Sequence, residues 1–108
     1  MLNIFKKLLG IGNDENLAKL IKNGAFLVDV RSTQEFADGS VKGALNIPLD
    51  KVKSQLSKFK DKESIIVLCR SGNRSSMART ILKQIGIKNV TNGGTSLNMN
   101  QFSIIKLC

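Results

Sequence analysis

The chain of 108 residues contains no histidine, no tryptophan and no tyrosine, a single proline and only two cysteines. Without histidine there is no Cys–His dyad, no Ser–His–Asp triad and no histidine-ligated metal site. Two cysteines far apart in sequence do not make a disulfide framework, and a reducing compartment is the simpler reading. Acidic residues are missing from Ser64 onward: all eight Asp and Glu lie at or before Glu63. The segment from Ser64 onward, which carries Cys69, therefore offers no carboxylic acid to protonate a leaving group. The apolar stretches of the first twelve residues are short and broken by Lys6 and Lys7, which excludes a secretory signal or a membrane span. Residues 1–12 are expected to form an N-terminal arm or short helix, with no stable membrane insertion, and residues 13–108 one domain. The compartment expected is the cytoplasm.

What is present is an ordinary globular composition with a formal charge of +9. From Ser64 onward the charges are Arg70, Arg74, Arg79, Lys83, Lys88 and Lys106, all positive. Such a field suits a small anionic substrate or an acidic partner protein. The lysines are scattered and the aromatics few, so no nucleic-acid partner is expected.

The pattern alternates helix and strand. Leu17, Leu20 and Ile21 recur at helical spacing between an Asn13 or Asp14 cap and an Asn23-Gly24 stop. Phe26–Val30 and Ile65–Cys69 are short, nearly continuous apolar runs, as expected of strands buried on both faces. Ser32-Thr33-Gln34-Glu35 fits a capping box, with Gly39 closing a short helix. A brief extended segment over 43–49 is followed by Val52, Leu56 and Phe59 at helical spacing. Met77, Ala78, Ile81, Leu82 and Ile85 predict an amphipathic helix stopped at Gly86. Lys88–Thr91 reads as a further strand, and Asn92-Gly93-Gly94 as a turn. This alternation predicts an α/β fold with a mostly parallel sheet. Ligands in such sheets bind beyond the carboxyl ends of the strands, where Asp29 and Cys69 are expected to face one crevice.

Cys69 ends an apolar strand, and Arg70-Ser71-Gly72-Asn73-Arg74 leads into a helical pattern opened by Ser75 and Ser76. Backbone N–H groups at a helix start and two guanidiniums favour a thiolate there. Cys69 is the candidate nucleophile.

Three segments together resemble the rhodanese family of sulfurtransferases. They are Asp29-Val30-Arg31-Ser32-Thr33-Gln34-Glu35-Phe36 with Gly39 to Leu49, the loop Cys69 to Ser75, and Asn89-Val90 followed by Gly93-Gly94. The resemblance runs from about Asn13 to about Asn100 and implies a three-layer rhodanese-like fold, its central sheet flanked by helices. It implies that Cys69 takes a sulfane sulfur from a small anionic donor such as thiosulfate and passes the persulfide sulfur to a thiol, cyanide or protein acceptor, with no cofactor and no metal. Residues 70 to 75 would bind the sulfur and the donor: Arg70 and Arg74 the donor oxygens, Ser71 and Ser75 the sulfur or donor, Gly72 and Asn73 through the loop backbone. Arg74 has a structural alternative, holding the loop through carbonyls or a carboxylate. Asp29 is expected to support the loop by accepting its backbone N–H groups, and Arg31 and Glu35 to form an ion pair.

The sequence departs from the family pattern at Ser40, where many members have histidine, and at Thr95-Ser96-Leu97-Asn98, where an aromatic is expected. Cys108 is expected to be a frayed thiol. Two rivals are a non-catalytic rhodanese-like binding or sensing module, and a phosphatase or arsenate reductase of related fold. The latter use Cys-x5-Arg, one residue longer than the spacing from Cys69 to Arg74.

Overall fold

The computed structural model describes residues 14–95 and 105–106. Segment 1–12, residues 96–98 and Cys108 lie outside the described residues, as does the side chain of Thr95. The chain begins with α1 (Asp14–Lys22), then β1 (Phe26–Asp29), α2 (Thr33–Ala37), β2 (Ser40–Val41) and β3 (Leu45–Asn46). Two 3-10 segments, Leu49–Lys51 and Lys53–Lys58, lead to β4 (Ile65–Cys69), α3 (Asn73–Gln84), β5 (Val90–Thr95) and β6 (Ile105–Lys106). The central sheet has the order β3-β1-β4-β5, and every pairing in it is parallel. A second, two-stranded pairing joins β2 and β6 antiparallel. Among the described residues no helix is long and apolar enough to cross a membrane.

Strand alternation sorts the core into two layers. Val28, Val30, Ile65, Val67 and Cys69 pack with Val52, Phe59, Ala78 and Leu82, on the side of α3 and the 3-10 segments. Leu27, Ile66 and Leu68 pack with Leu17 of α1 and with Val41. All five residues of β4 are buried, which explains the unbroken apolar run.

Several expectations are corrected. The 49–59 segment is 3-10 rather than α-helical: its bonds run from Lys51 N to Pro48 O, Val52 N to Leu49 O and Phe59 N to Leu56 O, and Gln55 leaves helical geometry at φ −122° and ψ 34°. Gly93-Gly94 is not a turn, because β5 runs through it. The register passes from Val67↔Asn92 to Leu68↔Gly94, so Gly93 is the extra residue of a bulge, and Gly94 takes φ 79°. Helix α3 buries Ser75, Ala78 and Leu82, while Met77 and Ile85 are exposed. Its inward face runs through Ser75, Ala78 and Leu82, so Met77, one position from Ala78, turns outward, and Ile85 lies past the last residue of the helix.

Candidate active site

Cys69 closes β4 at the carboxyl edge of the sheet and has no exposed surface. Its Sγ lies 2.9 Å from the donating Gly72 N–H, 3.4 Å from the Ser75 N–H and 3.3 Å from Ser75 Oγ. Gly72, at φ 95°, is the residue preceding α3, and this left-handed geometry, which a side chain would strain, aims its N–H back at the sulfur. Two backbone donors therefore converge on one sulfur at the start of a helix, an arrangement that stabilises negative charge.

The loop is locked from behind by a residue that sequence reasoning read only as part of a turn. Asn92 is fully buried in β5. Its Oδ1 accepts from Gly94 N at 2.9 Å and from Ser75 Oγ at 2.6 Å, and its Nδ2 donates to Gly72 O at 3.1 Å. These bonds fix the amide orientation, since only oxygen can accept from the Gly94 N–H. The Ser75 hydroxyl has one proton, and its short contact to Asn92 Oδ1 directs that proton away from Sγ. Its lone pairs then face the sulfur, ready to accept from a thiol; rotation about the C–O bond turns it into a donor to a sulfur anion. The available signal was an asparagine in a strand position, where burial demands partners.

The arginines divide. Arg70 is exposed and makes no ion pair with a described residue. Arg74 is tied to Glu35 of α2, Nη1 to Oε1 at 2.7 Å and Nη2 to Oε2 at 3.0 Å. The guanidinium pushes the Glu35 carboxyl down to about 2, with the Ser32 backbone N–H adding to the effect, and the carboxylate in turn pushes Arg74 up. Glu35 is held in place by its capping box, accepting from Ser32 N and Ser32 Oγ while Ser32 Oγ accepts from Glu35 N. Ser71 is exposed on the loop and Asn73 is exposed at the first position of α3. Beside Arg74 lies a groove of about 470 Å³ that Val30, Leu49, Lys53 and Ile81 help to line.

The expected ion pair of Arg31 with Glu35 does not form. Arg31 instead binds Asp29, with Nη2 at 2.7 Å from Oδ2 and Nε at 3.0 Å from both carboxylate oxygens. Two residues apart on an extended chain, these side chains reach each other directly, which leaves Glu35 to Arg74. Nor does Asp29 share a crevice with Cys69. Asp29 pairs with Leu68 in register, so its side chain lies on the α1 face and that of Cys69 on the other. Its partners are Arg31 N, the Arg31 guanidinium and Ser40 Oγ at 2.6 Å, rather than the backbone of the Cys69 loop. The buried pair pins the β1–α2 connection, which delivers Glu35 to Arg74. Ser40, the departure from the family histidine, thus has a structural role in holding the Asp29 carboxylate.

Known proteins resemble this chain over most of its length. The model of the rhodanese-like domain matches residues 13–96. The chain is 36% identical over 69 residues to the thiosulfate sulfurtransferase PspE of Escherichia coli, covering 62% of this chain and 66% of that one. It is 35% identical over 66 residues to a sulfurtransferase of Allochromatium vinosum, covering 61% and 62%. The chain thus spans somewhat less than two thirds of the length of either relative. Among solved structures, a rhodanese-related protein of Thermoplasma volcanium superposes with a TM-score of 0.74 at 29% identity, covering 91% of this chain and 98% of that one.

Proposed function

Because the chain belongs to the rhodanese-like domain family, we propose that it is a sulfurtransferase that carries a sulfane sulfur as a persulfide on Cys69, between a small anionic donor and a thiophilic acceptor. The observation that carries this reading is the pair of backbone N–H groups, from Gly72 and Ser75, directed at Sγ. In the first half-reaction the Cys69 thiolate attacks the outer sulfur of a donor such as thiosulfate. The sulfur–sulfur bond of the donor breaks, its electron pair leaves with sulfite, and Cys69 holds a persulfide anion. In the second, an acceptor such as cyanide attacks the terminal sulfur, thiocyanate departs, and the Cys69 thiolate is restored. Both resting forms are anions on sulfur, so the same donors serve each. Arg70, Ser71 and Asn73 are exposed and Arg74 half-buried in the segment that follows Cys69, where they would meet the donor. Cys69 is fully enclosed, so each half-reaction requires a movement that uncovers Sγ.

Steady-state formation of thiocyanate from thiosulfate and cyanide tests the proposal. Turnover is expected for the native chain and absent from Cys69→Ser. Hydrolysis of a phosphate ester faster than sulfur transfer would overturn it in favour of the phosphatase reading. Absence of turnover with every sulfane donor would overturn it in favour of a binding module.

A further inference from the structure

The loop carries two arginines, yet only one of them has an uncompensated charge. Glu35, on α2 and 39 positions before Arg74, takes both terminal nitrogens of that guanidinium. Its own place is fixed by the Ser32 N–H and hydroxyl, so the carboxylate is part of the site's fixed charge rather than a mobile surface group. Arg74 still lines the open groove beside the loop, with its remaining N–H groups available to a bound anion. Arg70, exposed and unpaired among the described residues, supplies the net positive charge.

We propose that Glu35 is a specificity-determining residue: by neutralising Arg74 it holds the net charge of the loop side chains near that of Arg70 alone, and biases the site toward singly charged sulfane donors over dianions such as thiosulfate. This inference rests on the sulfur-transfer reading. Both donor classes react by the same balanced step. Thiosulfate, a dianion, gives sulfite and the Cys69 persulfide; methanethiosulfonate, a monoanion with the same type of sulfur–sulfur bond, gives methanesulfinate and the same persulfide. The leaving group takes the electron pair in each case. The two differ by one unit of charge, so the ratio of their kcat/KM values reads the field at the loop.

Glu35→Gln isolates that field, because glutamine keeps a carbonyl oxygen for the Ser32 N–H while removing the charge. The ratio of kcat/KM for thiosulfate to that for methanethiosulfonate is expected to rise about two- to fivefold, the size of one unit-charge interaction at a solvated site, mainly through KM. The gain is expected to collapse in about 1 M salt. Arg74→Gln, which exposes the Glu35 charge, is expected to lower the ratio, and the double variant to return it toward that of the native chain. Should Glu35→Gln fail to fold, the Arg74→Gln arm reads the same field with opposite sign. A ratio that stays constant or moves the other way, while sulfur transfer persists, overturns the role of Glu35 alone. Absence of persulfide from either donor in the native chain overturns the sulfur-transfer reading and this inference together.

Discussion

At the scale of single residues, the chemistry depends on where each charge and hydrogen-bonding group finds its partner. Cys69, Gly72 and Ser75 were legible in the sequence because a strand, a glycine and a helix start are adjacent along the chain. Glu35 and Asn92 were not, since each meets the loop only through tertiary structure: Glu35 from 39 positions away, Asn92 across the β4–β5 pairing. The Glu35–Arg74 pair also has a measurable signature. Its side chains are 26% and 36% exposed, so its contribution to stability is expected to be below about 1 kcal/mol. The pair holds the Glu35 carboxyl at about 2, below its ordinary 4.5. A depressed carboxyl stabilises the fold above its unfolded value, so this contribution is complete above about pH 4.5 and is lost as pH falls toward about 2. Urea midpoints of the native chain and Glu35→Gln should differ most near neutral pH and converge across that acid window. A difference that widens on acidification would contradict the pairing.

At the scale of elements, β4 was readable to the residue, since a parallel strand covered on both faces must be apolar throughout. The 49–59 segment was readable as helical but not as 3-10, because apolar spacing of three to four residues fits both. Glycine misled in β5, where it marks a bulge inside the strand rather than the end of it. In the 49–59 segment the spacing did convey that Val52 and Phe59 point inward. Phe59 is 1% exposed and meets the Phe26 ring edge-on, with centroids 6.0 Å apart. Phe59→Ala is expected to cost about 3–5 kcal/mol, read as a lowered urea midpoint with little change in slope. A loss below about 1 kcal/mol would show that this segment does not seat against the α3 face of the core.

At the scale of the whole molecule, the sheet keeps two polar assemblies apart. The Asp29–Arg31–Ser40 cluster sits on the α1 face and holds the β1–α2 connection; the Cys69 cradle sits on the α3 face. Glu35 links them: the first assembly pins the connection that carries it, and the second pairs it with Arg74. The parallel topology itself followed from the alternation of elements, and brings Asp29 and Cys69 to the same edge as expected. Their opposite faces follow from register, which no single strand reveals.

The central claim is that Cys69 carries the transferred sulfur. Incubation with thiosulfate or methanethiosulfonate, followed by intact-mass measurement under non-reducing conditions, tests it directly. The expected result is a gain of one sulfur atom that is discharged by cyanide and absent from Cys69→Ser. No gain from either donor, or a gain that survives in Cys69→Ser, would contradict it.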